Sequence, residues 1–288
     1  MKIWKLDHNG ILEQLGERFD IVEKIEEADR VVLWNDVNPL ERGIVNLAHG
    51  LDKKVVVMQH GRKGTSRYYP PFNEKIRADK LLVWGDFDRR SLIGAGQDET
   101  KIKVVGTTVL PQQTRNFHKG VNIIFCPEHW DREVEENLRT REELRKLKMS
   151  IITKIIESHD PKDYDNPIQS FRDTKEHLKI CAEVLSTADL VVGISESTFE
   201  LMAQAMDIPV VIMEEWTPKA FGGDMRYITY RRVISPAAKR ATIKTLNKTI
   251  IQQLANPNEL KEERVRVVLD EGGPKNALEL IKYEIENA

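Results

Sequence analysis

The chain has 288 residues, with 44 Lys and Arg against 46 Asp and Glu, a formal net charge of −2 at pH 7. That balance excludes a global field drawing the protein to nucleic acid or an anionic membrane, so any anion binding has to be a local arrangement. Two cysteines, Cys126 and Cys181, exclude a disulfide framework or a cysteine-rich zinc site and read as buried thiols of an intracellular protein.

The length allows one large or two medium domains. "MKIWKLDHNG" at the start lacks the apolar core of a signal peptide, and no apolar run approaches the ~20 residues that span a bilayer. A soluble, cytoplasmic protein is the expectation.

In chain order, short β-branched runs predict strands at 2–6, 30–34, 54–58, 80–84 and 103–105, alternating with segments of helical period. After a polar stretch at 111–120 the pattern restarts, with strands at 121–125, 150–156, 189–193 and 209–213 and helices near 133–147, 173–187 and 198–206. From about 236 onward the chain is charged and helical in period, broken by "EGGPKN" before a last helix. The fold class is therefore α/β: two Rossmann-like, doubly wound parallel-sheet domains, at 1–115 and 116–288, the second ending in a helical segment.

In open parallel α/β sheets, ligands gather at the carboxyl ends of the strands, so the strand-to-helix junctions are the candidates. The first places Asp7, His8, Asn9 and Gly10 after strand 2–6; an Asx or Gly turn explains them equally well. The second follows strand 54–58 with Gln59, His60, Gly61, Arg62, Lys63, Gly64 and Arg67. A histidine beside cations at a Gly-rich bend suits a general base or phosphate contact, against a bend with solvated charges. The third, "SIITKIIESHDP", puts His159 in a loop after strand 150–156, while Lys154 within it reads as a snorkelling lysine.

The fourth junction is "ADLVVGISESTFELMAQAMDIPVVIM" (188–213). Strand 189–193 ends at Gly193, and Ser195, Glu196, Ser197 and Thr198 lead into a helix whose free N–H groups and dipole favour an anion. Ser197 with Glu200 also forms an S-x-x-E capping box, which by itself binds nothing, and both readings can hold together. "TPKAFGGDMRYITYRR" (217–232) mixes glycines, aromatics and arginines as a specificity loop would, or as a solvated loop. No Walker A, G-x-G-x-x-G, H-E-x-x-H or G-x-S-x-G motif occurs, which removes the usual support for kinase, dehydrogenase and hydrolase readings.

Taken in order, "VVVMQHG", "ADKLLVWGD", "KIKVVGTT", "IIFCPEHWD", "SHDP" and the 188–212 stretch resemble bacterial surface and capsular polysaccharide glycosyltransferases of the GT-B type. The CDP-glycerol glycerophosphotransferase and Kdo-transferase-like families are the most similar in motif. The resemblance implies two Rossmann-like domains facing a cleft, with a nucleotide-activated sugar held mainly by the second and a hydroxyl acceptor mainly by the first. It implies that Gly193, Ser195, Ser197 and Thr198 hold donor phosphates. The family's ribose carboxylate position falls on Met202 here, about 200° around a helix from Glu200; Glu200 and Glu196 are the carboxylates available. By motif the family's histidine after the third strand maps to His60, and its "HP" loop histidine to His159, with Asp160 inserted before Pro161. His8 corresponds in position to the first-loop base of other GT-B enzymes.

The implied reaction transfers a sugar or polyol phosphate to a hydroxyl of a glycan or small acceptor, with no cofactor or metal; inversion is the hypothesis taken, and the sequence leaves inverting or retaining open. His60 or His8 serves as base, and Arg62 and Lys63 meet phosphate or acceptor. The rivals are a nucleotide-sugar enzyme like the UDP-N-acetylglucosamine 2-epimerases and a non-catalytic nucleotide-sugar or glycan-binding protein. Homo-oligomerisation stays open.

Overall fold

The computed structural model describes residues 1–6, 15–16, 18–34, 36, 39–59, 75–106, 116, 118–127, 134–156, 159–170, 176–194, 197–213, 237–268 and 273–288. The chain divides into two compact units, Met1–Leu110 with Val268–Ala288, and Pro111–Val267. Each carries a six-stranded sheet in which every described pairing is parallel. The α/β class and the doubly wound architecture expected from the sequence are those observed.

The first unit runs through β1 (Lys2–Leu6), β2 (Asp20–Ile21), β3 (Arg30–Leu33), α1 (Pro39–Gly50), β4 (Lys54–Met58), β5 (Lys80–Val83), α2 (Asp86–Gly94) and β6 (Ile102–Val104). Its strand order is β2-β1-β3-β4-β5-β6. Strands covered on both faces lose the in-out alternation of a half-exposed sheet, which is why "VVVM" in β4 is buried throughout. Val31, Leu33, Val55, Val57, Leu81 and Val83 form the core under α1 and α2.

The second unit comprises β7 (Asn122–Cys126), α3 (Val134–Arg145), β8 (Ser150–Ile156), β9 (Pro167–Ser170), α4 (Glu176–Ser186), β10 (Leu190–Gly193), α5 (Thr198–Ala205), β11 (Val210–Met213), β12 (Ala238–Ala241), α6 (Leu246–Ala255) and α7 (Lys261–Val268). The order β12-β11-β10-β7-β8-β9 is the Rossmann winding: the first three strands run one way from β7 and the next three the other. The order reverses between β7 and β10, whose pairing puts Gly193 beside Cys126 at the carboxyl ends.

The last helix, α8 (Gly273–Glu286), corrects the expectation that residues 116–288 form one domain. Ala277, Ile281 and Ile285 recur every four residues, lie on one helical face and are buried at 2% exposure or less. Lys80 of β5 donates to the Glu284 carboxylate at 2.7 Å, the Glu284 carbonyl at 3.2 Å and the Asn287 carbonyl at 2.9 Å. Gly106, at φ +76, passes so close to α8 that a Cβ there would lie 3.2 Å from Ala277 Cβ. Among the described residues no helix is long and apolar enough to cross a membrane.

Candidate functional site

In an open parallel sheet a ligand sits where the strand order reverses, and in the second unit that is the carboxyl end of β7 and β10. α5 starts there. Ser197 is its N-cap and forms the capping box the sequence spelled: the hydroxyl accepts from the Phe199 N–H at 3.3 Å, and the Glu200 carboxylate accepts from the Ser197 N–H at 2.8 Å. The Ser197 hydroxyl also donates to Glu200. Thr198, the first helical residue, is half-buried, and its N–H has no intrahelical acceptor by geometry.

Glu200 is buried, at 1% exposure. Burial raises its carboxyl above the usual range, although the Ser197 hydroxyl and N–H, its own N–H and the Cys126 thiol all donate to it. The Cys126 thiol is in turn pushed well up, first by desolvation and then by the Glu200 charge. The structure thus joins the helix start to the end of β7 through a carboxylate–thiol contact.

Lys154 corrects its sequence reading. Its side chain is covered rather than lying along the surface: it is 5% exposed, and its Nζ lies 5.6 Å from the centroid of the Phe199 ring in the first turn of α5. Alternation along β8 sends Ile151 and Ile155 into the core on one face, and Lys154 to the other.

His159 stands at the carboxyl end of β8, half-buried. Its Nδ1 accepts from the Ile156 N–H at 3.2 Å, and its own N–H donates to the Ile156 carbonyl at 3.1 Å. An imidazole accepting at Nδ1 carries its proton on Nε2, so Nε2 is the ring's donor. Tyr164 packs edge-on against the ring at 5.4 Å.

The sequence reading missed His177. Its Nδ1 lies 3.1 Å from Ser170 Oγ at the end of β9, and its Nε2 3.8 Å from Cys181 Sγ one turn along α4. The i, i+4 spacing of His177 and Cys181 was the available signal.

Gly193, Ser197, Thr198, Glu200 and His159 are therefore all placed on the carboxyl side of the second unit's sheet. Ser195, Glu196 and the 217–232 loop lie outside the described residues, as do His8, His60, Arg62 and Lys63. In the first unit the order reverses between β1 and β3, and β1 is the strand that precedes His8 in the sequence. Gln59, the residue before His60, is pinned twice: its side-chain carbonyl accepts from the Trp84 N–H at 2.9 Å, and its main-chain carbonyl from the Trp84 indole at 2.8 Å. Asp36, 1% exposed, accepts from the N–H groups of Arg77 and Ala78 at 2.7 and 2.9 Å and anchors the approach to β5. Among the described residues no group of three or more His, Cys, Asp or Glu is placed to hold a metal ion.

No protein-family model matches the chain, and no curated protein matches it. Solved structures do. The wall teichoic acid polymerase TagF is 14% identical with a TM-score of 0.56, the match covering 100% of this chain and 88% of that one. Anabaena HepE in complex with UDP and glucose is 10% identical with a TM-score of 0.60, covering 100% of each. The UDP-GlcNAc 2-epimerase of Methanocaldococcus jannaschii, in complex with UDP-GlcNAc and UDP, is 13% identical with a TM-score of 0.55, covering 99% of each. At these identities the likeness is one of fold, and it extends over both units.

Proposed function

We propose that this protein is a GT-B type glycosyltransferase, moving a sugar or polyol phosphate from a nucleotide-activated donor to a hydroxyl acceptor in glycan or surface polysaccharide synthesis. One observation carries the reading. The capped start of α5 sits at the switch point of a Rossmann-ordered sheet, where a helix dipole and unpaired N–H groups suit a phosphate. Structures of the same fold were solved with UDP and glucose and with UDP-GlcNAc and UDP, which supports a nucleotide at such a site.

The chemistry follows from charge. The acceptor oxygen attacks the donor's reacting carbon or phosphorus, the bond to the leaving nucleotide phosphate breaks with its electron pair, and the hydroxyl proton passes to a base. Negative charge grows on the departing phosphate, and fixed dipoles at Thr198, together with the Ser195 hydroxyl assigned to the same phosphate, stabilise it without reorganising. Glu200 serves by fixing the helix start, and the ribose carboxylate falls to Glu196. His159, at the carboxyl end of β8, is assigned to the nucleotide. His60 or His8 is the base, with Arg62 and Lys63 as cations towards phosphate or acceptor. No metal is needed in this scheme, so activity persists in EDTA.

Thermal melting with UDP-, CDP-, GDP-, CMP- and dTDP-sugars tests it, since a ligand at about 100 times its Kd adds about 2.7 kcal/mol to the native state. Stabilisation by one nucleotide family is expected; none with any of them overturns the donor site. The epimerase likeness favours a second reading, in which the protein converts UDP-GlcNAc with no acceptor present. Incubation with that compound alone separates the two.

A further inference from the structure

Lys154 is a cation in a place where cations are expensive. It stands in β8 one step past the Phe125–Thr153 pair, which aligns it with Cys126 and, across β7, with Gly193. It is 5% exposed, and among the described residues its ammonium forms neither a hydrogen bond nor an ion pair; the face of Phe199 is what it meets. No ion pair joins it to Glu200, whose carboxylate accepts from Ser197 and from the Cys126 thiol. A ring face is a poor substitute for the three acceptors that an ammonium finds in water. Sequences seldom keep an unpaired buried lysine unless something anionic completes it.

The position says what that anion is. Phe199 is the second residue of α5, so the ammonium lies beside the helix turn whose first N–H groups lack intrahelical acceptors, at the switch point of the sheet. A buried point charge and a helix N-terminus converging on one spot suit a phosphate.

We propose that Lys154 is a donor-binding residue, its ammonium pairing with a phosphate of a nucleoside diphosphate seated on the first turn of α5. The inference rests on reading that turn as the donor-phosphate site. It adds the cation that the motif-based assignment lacks in the second unit, and it gives the departing phosphate a charge partner already held in place.

Calorimetric Kd values for UDP, CDP and inorganic pyrophosphate, on the wild type and on K154M, test it. Met keeps the length of the side chain and removes the charge, and replacing an unpaired buried cation by an apolar chain of similar volume leaves the fold intact or firmer. The expected result is at least about a tenfold loss of affinity for nucleotide and pyrophosphate, with the ligand-free melting temperature unchanged or raised. If the wild type binds nucleotide and K154M binds it equally, this inference fails while the donor site stands. If the wild type binds neither nucleotide nor pyrophosphate, the donor site itself fails and takes Lys154 with it. Should K154M not fold, reductive methylation of Lys154 in the wild type, followed by mass spectrometry, decides. Saturating pyrophosphate should slow it several-fold; an unchanged rate, or no labelling with or without ligand, overturns the proposal.

Discussion

Ser197 and Glu200 hold one another across the first turn of α5, the serine N–H and hydroxyl both donating to a carboxylate that is 1% exposed. Burial raises the Glu200 carboxyl above its ordinary value despite these donors. A carboxyl whose folded value lies above its unfolded one favours the fold while protonated. That contribution is present in full below the unfolded value near 4.3 and is lost as pH rises towards the folded value. E200Q keeps the capping geometry and removes the titration. The melting temperature of E200Q relative to wild type should therefore rise between about pH 4.5 and neutrality. A difference that stays constant with pH would show that the carboxylate is not penalised by its burial.

Arg264 is 1% exposed and leans on Asp207, donating through Nε at 2.9 Å and Nη2 at 2.6 Å, with a further bond to the Pro257 carbonyl. Asp207 sits at φ 58 just past the end of α5, a conformation glycine accepts without strain. D207G thus removes the carboxylate while sparing the backbone. Stranding the guanidinium should cost about 2–3 kcal/mol, less than the roughly 3–5 kcal/mol of a fully buried pair, because Asp207 is 39% exposed and water reaches the vacated site. Calorimetric melting checks this, and the double variant with R264M should recover part of the loss.

What the sequence made legible follows the apolar runs. β4, β10 and β11 are buried parallel strands whose apolar runs need no context, and the capping box at Ser197 was readable because its geometry is local. β12 was read as part of a helical, charged region: "AKRA" carries little strand propensity, and β11 supplies its place through pairing. β9 begins with Pro167, which argues against an interior strand, and it lies at the sheet edge. Lys154 was misread for a related reason, since whether a strand lysine reaches water depends on what covers that face. Here α5 covers it, with Phe199 over the ammonium.

Trp84 fixes the backbone immediately before His60 by donating its indole N–H to the Gln59 carbonyl at 2.8 Å. W84F keeps an aromatic ring and loses that donor, leaving a carbonyl in need of a partner at a cost of about 1–3 kcal/mol. If His60 is the base, the loss of anchoring should lower kcat and leave KM for the nucleotide donor unchanged, because the donor is assigned to the second unit. Steady-state kinetics in both substrates separates the two parameters. A raised donor KM with an unaltered kcat would remove His60 from the role of base.

The return of the chain into the first unit makes a prediction about where stability resides. Ile281 is buried on the inner face of α8, and Lys80 secures the helix from β5 through Glu284 and Asn287. I281A should cost about 2–4 kcal/mol through lost burial and the cavity left behind. The loss should fall on the unit that contains α8, although Ile281 is far in sequence from that unit's strands. Native-state hydrogen exchange reads this directly. Amides of Val56 and Leu82 in β4 and β5 should lose protection in I281A, while those of Phe125 and Val191 in β7 and β10 keep theirs. Equal loss in both sets would mean that the two units unfold as one, and that the contact division of the chain is not an energetic one.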